Sequence, residues 1–197
     1  VDYEIDLSAD VDSGVSGLML PLVDTVDQAA KAVDRAYFPP RGHRGYGLGM
    51  SPFPLDGLNP AQVPHDELTG YVNDNTILLP QTESLRSVTN LDRILSLDGV
   101  DGTVVGTFDL ALDVGGIPPG ASRLDLTRLP AVEARLHDIA RICREHGKVA
   151  GIGGLTPEDM ARWSEHGYRL FVIGTAAEGN VEPVCEVAKA TKRLIGA

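Results

Sequence analysis

Short apolar runs alternate with amphipathic segments along most of the chain. Residues 15–23 form an apolar run that ends at Asp24-Thr25, and this run predicts a β-strand buried on both faces. Residues Val26–Ala36 then follow the spacing of an amphipathic helix, with Asp24 or Thr25 as its N-cap. The first regular unit is therefore a strand followed by a helix.

The same unit recurs through the rest of the chain. Strands separated by helices pair in parallel through right-handed crossovers. The pattern predicts one α/β domain over residues 1–197 with five βα units, interrupted by a long Gly- and Pro-rich loop at residues 40–75 that contains a short helix near residues 66–71. The further strands are predicted at residues 76–80, 103–106, 148–152 and 169–174, and the further helices at residues 84–96, 130–145, 157–165 and 181–194.

Five units are too few to close an eight-stranded barrel, for which about 250 residues is typical. The shortfall is of the order of two or three βα units. Either the sheet is open, or units that would complete a barrel lie before Val1, where the chain starts without a methionine.

Composition narrows the classes of partner. The 197 residues are 43% apolar and carry a net charge of −11, which argues against nucleic acid and anionic membranes because both attract clustered Lys and Arg. The apolar runs are far shorter than the ~20 residues that span a bilayer. Cys143 and Cys185 lack the spacing of a metal site, which suits a reducing cytoplasm, and both are expected to be buried thiols, with a disulfide or a catalytic nucleophile as the alternatives.

Carboxylates follow two successive predicted strands. Gln81 and Glu83 come directly after one strand, and Asp109 comes after the next. Ligands bind at the C-terminal ends of strands in parallel α/β folds. Taken singly, Glu83 can cap or begin the helix that follows it, and Asp109 can be the N-cap of a helix after the next strand. Together the two carboxylates repel each other, and a divalent cation relieves that repulsion, so the pair predicts a site for Mg²⁺ or Mn²⁺.

A second group of polar residues lies in the Gly-rich segment after the first helix. Arg41 and Arg44 are candidates to bind a substrate carboxylate, and His43 is a candidate proton relay. The alternative is a turn whose arginines pair with local acids. The chain has no Gly-rich nucleotide-binding fingerprint and no phosphate-binding loop, so a nucleotide site has no support.

Several short motifs occur in the order and spacing of a known family. With these motifs the chain resembles the HpcH/HpaI aldolases, class II metal-dependent 2-oxo acid aldolases that include 4-hydroxy-2-oxoheptanedioate aldolase and 2-dehydro-3-deoxyglucarate aldolase. The similarity runs from about residue 13 to the C-terminus. The motifs are Gly17-Leu-Met-Leu-Pro-Leu-Val, Tyr37-Phe-Pro-Pro-Arg-Gly-His-Arg-Gly, Gln81-Thr-Glu83 and Gly99-Val-Asp-Gly-Thr-Val-Val-Gly-Thr-Phe-Asp109-Leu.

The resemblance implies a (β/α)8 TIM barrel of the phosphoenolpyruvate/pyruvate type, with its first two or three βα units missing from this chain. It implies Glu83 and Asp109 as ligands of Mg²⁺ or Mn²⁺, and Gln81, Gly106 and Phe108 as substrate-binding residues. The catalytic arginine and histidine of the family would lie before the first residue. The implied protein is a cytoplasmic carbon–carbon lyase that acts on 2-oxo acids and aldehydes through a pyruvate-type enolate, as a homo-oligomer, a trimer or hexamer.

One motif departs from the family pattern. The family usually reads Gly-Pro-x-Asp-Leu-Ser, whereas this chain reads Gly106-Thr-Phe-Asp109-Leu-Ala, and a phenylalanine beside a metal ligand narrows the pocket. Two alternatives stay open. One is a citrate lyase β-like enzyme that cleaves an acyl-CoA thioester, although the chain has no basic cluster for CoA phosphates beyond Arg41 and Arg44. The other is a non-catalytic barrel relative that binds a ligand or serves as a scaffold.

Overall fold

Five parallel strands form a single sheet in the computed structural model, which describes Leu7 and residues 15–47, 62–173 and 181–196. The strand order in the sheet is the order along the chain. All five predicted strands are confirmed, with bounds that move by one to three residues. They are β1 (Gly17–Leu20), β2 (Ile77–Thr82), β3 (Gly102–Val105), β4 (Val149–Gly153) and β5 (Leu170–Val172).

Eight helices lie in the described part of the chain. Three of them, α1, α6 and α7, have the predicted bounds, and none of the eight is long and apolar enough to cross a membrane. No bounds were predicted for the short helices α4 and α5, because one or two turns carry too little periodicity. The helices are α1 (Val26–Ala36), α2 (His65–Asp74), α3 (Leu85–Leu95), α4 (Thr107–Val114), α5 (Arg123–Leu126), α6 (Pro130–Glu145), α7 (Pro157–Glu165) and α8 (Glu182–Ile195).

The strand order explains why the helices share one side of the sheet. Each right-handed crossover adds its strand next to the previous one in the same direction, so every crossover helix lies on the same face. This is the winding of a (β/α) barrel, whereas the strand order reverses in a doubly wound sheet. Within the described residues β1 and β5 are the edges, and the observed architecture is a parallel half-barrel.

The two faces of the half-barrel differ in burial near the β1 edge. Leu18 and Leu20 pack into the core beneath the helices, whereas Met19 and Ile77 point to the concave face and are 45% and 49% exposed. The expectation that the first strand is buried on both faces is therefore wrong. The physical reason is that no element of the described chain covers the concave face at this edge.

The two cysteines have different surroundings. Cys143 on α6 is buried in the core, and burial raises the pKa of its thiol to about 12, so this cysteine is a packing group. Cys185 is exposed, and the expectation that it is buried is wrong. It lies on α8, where Thr191 is the buried residue, so this helix covers the core only thinly.

The segment after α1 packs against the N-terminal ends of the strands. The Tyr37 side chain is fully buried, and its hydroxyl donates to the carbonyl oxygen of Gly99 at 2.9 Å, just before β3. The same hydroxyl lies 3.2 Å from the carbonyl oxygen of Thr76, just before β2. Tyr37 therefore ties the end of α1 to the starts of two strands.

We expect Tyr37→Phe to lower the free energy of unfolding by about 1–2 kcal/mol, because the ring stays buried while the carbonyl oxygen of Gly99 loses its donor. Urea denaturation measures the change. Tyr46→Phe is the matched control, since its ring is 56% exposed, and it should change stability by less than about 0.5 kcal/mol. Equal losses in the two variants would contradict the assigned role of the Tyr37 hydroxyl.

Candidate active site

The predicted site residues meet at the C-terminal ends of β2 and β3. Gln81 is near the end of β2, Glu83 follows that strand directly, and Asp109 lies in the first turn of α4. A cavity of about 190 Å³ opens there, and its lining includes Gln81, Gly106, Phe108 and Asp109. The structure therefore brings together the residues that the motifs indicated.

Glu83 is buried and reaches across to the loop that follows β1. Its Oε1 accepts the backbone N–H of Leu22 at 2.5 Å, and Leu22 has a left-handed φ of 55°, which is rare for a leucine. The N–H of Glu83 donates to the hydroxyl of Ser87 on α3. The alternative in which Glu83 serves only to cap α3 is wrong, because Ser84 is the N-cap of that helix.

Gly106 leaves the space that the Glu83 carboxylate occupies. A Cβ atom on Gly106 would lie 2.5 Å from Oε2 of Glu83 and 2.9 Å from its Cβ. Any side chain at position 106 would therefore displace the carboxylate. Gly106 was predicted as a residue on the substrate side, and the structure also gives it direct contact with the predicted metal ligand.

The electrostatics of Glu83 favour a cation. Burial raises the pKa of Glu83, the N–H of Leu22 lowers it, and the charges of Asp109 and Asp24 raise it further. Within the described ranges no Lys, Arg or His nitrogen lies within 4 Å of the Glu83 or Asp109 carboxylate. The site thus carries a surplus of negative charge without a basic partner.

Glu83 and Asp109 fit a hard divalent cation. The Asp109 side chain is exposed and lines the cavity from the first turn of α4. It is not the cap of that helix, because Gly106 occupies the N-cap position. No group of three or more His, Cys, Asp or Glu side chains in the described residues is placed to hold a metal. Two carboxylates, with water and substrate oxygens as the remaining ligands, match Mg²⁺ or Mn²⁺ better than zinc.

The start of α4 offers backbone donors to a ligand. Its N-cap is a glycine and makes no side-chain cap, and the first helical residues line the cavity. Thr107 donates its hydroxyl hydrogen to the carbonyl oxygen of Gly153 at 2.9 Å, which joins the helix start to the end of β4. Uncapped N–H groups at a helix N-terminus attract a carboxylate.

Asp24 also lies at this end of the sheet, although its position in the sequence predicted only a capping role. It follows β1 as Glu83 follows β2, its Oδ1 accepts the Ser84 hydroxyl, and its carbonyl oxygen accepts the Asn90 amide. The cap of α1 is Thr25. The rule that found Glu83, a polar side chain just beyond a parallel strand, also applies to Asp24.

Arg41, His43 and Arg44 lie at the opposite end of the strands. Helix α1 runs antiparallel to β1, so the segment that follows it returns to the N-terminal ends of the strands. The six residues of β2 span roughly 20 Å between the two ends. These three residues therefore do not line the cavity at the C-terminal ends of the strands, and a role for them in substrate binding stays a prediction.

Local partners account for this segment instead. Arg41 donates to the carbonyl oxygen of Asn73 at 3.1 Å and lies 3.7 Å from the Asp98 carboxylate. His43 pairs with Asp34 of α1. The alternative of a turn whose charged residues pair with nearby acids is confirmed for Arg41.

The fold and the candidate site define a class of protein: an α/β half-barrel with two carboxylates at the C-terminal ends of its parallel strands. Residues 3–155 match the family model described as HpcH/HpaI aldolase/citrate lyase, and the chain belongs to this family. The resemblance inferred from the motifs is therefore confirmed.

Named relatives support the same assignment. The chain is 36% identical over 164 residues to the 2-keto-3-deoxy-L-rhamnonate aldolase of Shigella dysenteriae serotype 1 (strain Sd197), and the match covers 83% of this chain. The chain spans only 57% of the length of that relative.

Two solved structures are similar in fold. The HpcH/HpaI aldolase from Desulfitobacterium hafniense DCB-2 has a TM-score of 0.76 at 25% identity, over 98% of this chain and 69% of that one. The citrate lyase beta subunit complexed with oxaloacetate and magnesium from M. tuberculosis has a TM-score of 0.61 over 98% of this chain and 66% of that one. Its 14% identity makes it a likeness of fold alone.

Proposed function

We propose that this chain carries the metal-binding half of a class II aldolase active site, which forms or cleaves a carbon–carbon bond next to a 2-oxo acid. The observation that carries the proposal is the Glu83 carboxylate, which is buried beside Asp109 in a space that only a glycine at position 106 leaves free. Membership of the family and the aldolases among the relatives support the reaction class.

Glu83 and Asp109 are the proposed ligands of Mg²⁺ or Mn²⁺. A divalent cation bound there would act as a Lewis acid toward the keto oxygen of a 2-oxo acid and stabilise negative charge on it. The magnesium of the M. tuberculosis structure belongs to that protein, and the proposal for this chain rests on its own carboxylates.

The chain's own residues bind and orient the substrate in this proposal. The N–H groups at the start of α4 donate hydrogen bonds to the substrate carboxylate, and Gln81 offers its side-chain amide from the neighbouring strand. Val104 and Val172 give the cavity apolar walls, and Phe108 narrows it. These walls exclude water from the bound 2-oxo acid and limit its size.

The groups that transfer protons are proposed to belong to other βα units of the barrel. Neither an arginine nor a histidine lines the cavity in the described part of the chain. Exposed Met19 and Ile77 on the concave face support the proposal that further strands complete an eight-stranded barrel. We also propose that the whole protein is a cytoplasmic homo-oligomer, a trimer or hexamer, as the family resemblance implies.

The reaction of pyruvate with an aldehyde, run on the whole protein with its proton-transferring groups, tests the proposal. We expect condensation in the presence of Mg²⁺ or Mn²⁺, measured as loss of pyruvate, and a rate at least about 100-fold lower in EDTA that excess metal restores. Turnover that EDTA does not change would overturn the metal proposal. Cleavage of acyl-CoA thioesters without reaction of 2-oxo acids would favour the citrate lyase β-like alternative.

A further inference from the structure

Arg123 lies beside the candidate active site without having been indicated by any motif. It is the first residue of α5, and its guanidinium carbon is 4.1 Å from the centroid of the Phe108 ring. Phe108 lines the cavity and directly precedes Asp109. At this distance the guanidinium is stacked over the face of the ring.

The Phe108 ring is held in place by the loop after β4. A Cβ atom on Gly154 would come within 2.7 Å of Cε2 and Cζ of Phe108, so the ring fills the space that this glycine leaves. Gly154 has a φ of 73°, a conformation that favours glycine. Because the ring is fixed against this loop, it also fixes the position of the guanidinium that stacks on it.

The hydrogen-bond donors of Arg123 are available to a ligand. Stacking engages the flat face of a guanidinium, whereas its five N–H donors lie in its plane. Arg123 is exposed, and no carboxylate oxygen of the described residues lies within 4 Å of its nitrogens. The acid of the same short helix, Asp125, instead accepts the N–H of Ser122 at 2.8 Å and its hydroxyl at 2.7 Å.

We propose that Arg123 is a specificity residue that selects substrates with a second carboxylate at the end remote from the 2-oxo group. This inference rests on the proposed function, which places the 2-oxo acid group at Glu83 and Asp109. Among the described residues that line the cavity the charged one is Asp109, so Arg123, stacked on Phe108 beside it, is placed to draw a distal carboxylate to this side. The planar guanidinium can donate two parallel hydrogen bonds to the two oxygens of a carboxylate.

Two 2-oxo acids of equal length test the inference. The distal end is a carboxylate in 2-oxoglutarate and a methyl group in 2-oxopentanoate, and pyruvate serves as the common short ligand. Titration calorimetry on the full chain saturated with Mn²⁺ gives all three dissociation constants. We expect the wild-type chain to bind 2-oxoglutarate about fivefold more tightly than 2-oxopentanoate, and this ratio to fall to about one in Arg123→Gln.

Arg144→Gln is the matched control, because Arg144 is exposed in the last turn of α6, and it should keep the wild-type ratio. The two dissociation constants that form each ratio are measured on the same preparation. A variant that folds less completely therefore affects both constants equally, and the ratio does not change. The inference is overturned if the two five-carbon acids bind the wild type equally well, or if Arg123→Gln leaves the ratio of their dissociation constants unchanged. In either case, binding of pyruvate would leave the proposed function standing. Failure of pyruvate to bind the Mn²⁺-loaded chain overturns the proposed function and this inference with it.

Discussion

In Glu83→Gln we expect metal-dependent turnover to fall about 10³-fold, while the metal-free protein becomes at least as stable as the wild type at neutral pH. Glutamine keeps an oxygen that can accept the N–H of Leu22, and it fits the space beside Gly106. It lacks the negative charge that attracts a divalent cation. Mn²⁺ binding, followed by electron paramagnetic resonance, should weaken in parallel with turnover.

The stability effect follows from the raised pKa of Glu83. Burial is its largest cause, so the charged form is less favourable in the folded chain than in the unfolded chain. For a group whose folded pKa is raised, the stabilising contribution is present below the unfolded pKa and is lost as the pH rises through the folded pKa. At neutral pH the metal-free wild type has therefore lost the stabilising contribution of protonated Glu83. Glutamine is neutral at every pH, so Glu83→Gln avoids the cost of a buried charge.

Urea denaturation in EDTA between the ordinary glutamate pKa and neutral pH measures this effect. The difference in stability between Glu83→Gln and the wild type should grow as the pH rises. Glu165→Gln, at the exposed end of α7, is the control and should follow the wild type in stability and in Mn²⁺ binding. If Glu83→Gln bound Mn²⁺ with the affinity of the wild type, Glu83 would not be a metal ligand.

Gly106→Ala should weaken Mn²⁺ binding about tenfold or more and lower the free energy of unfolding by about 1–3 kcal/mol. The added methyl group would meet Oε2 of Glu83 at 2.5 Å, so either the carboxylate or the end of β3 has to move. Gly106 has a φ of −81°, which alanine tolerates. The expected loss therefore comes from displacement of the carboxylate and not from backbone strain.

Gly70→Ala is the matched control for this substitution. Gly70 lies inside α2, and a Cβ atom there meets nothing within 4 Å. Alanine is the better helix former, so this variant should gain about 0.5–1 kcal/mol and keep wild-type Mn²⁺ affinity. If Gly106→Ala also kept wild-type affinity, the close contact with Glu83 would have no role in metal binding.

The hydrophobic pattern alone was enough to predict the order of the five strands and of the longer helices between them. Long amphipathic segments such as Pro130–Glu145 were predicted with the observed bounds because helical periodicity is strong over four turns. The pattern also placed Gln81, Glu83 and Asp109 after successive strands. Since parallel strands share one C-terminal edge, that placement already put the three side chains at one end of the sheet.

The direction of the chain decided which end of the sheet each loop reaches. Arg41 and Arg44 look like substrate ligands in the sequence, but they follow a helix, and the end of a crossover helix lies at the N-terminal ends of the strands. Asp24 follows a strand and lies at the site end. The exposure of Met19 likewise depends on what covers the concave face, which no local pattern encodes.

The sequence by itself thus determined the βα repeat, the family motifs and the strand ends at which the carboxylates lie, because these depend on local periodicity and on the single hand of the crossovers. Contacts between distant residues were decided by the tertiary structure alone. The Leu22 N–H on Glu83, the space at Gly106 and the stack of Arg123 on Phe108 each join different loops. Such contacts depend on how neighbouring βα units pack, because that packing sets the distances between their loops. The spacing of residues along the chain does not determine those distances.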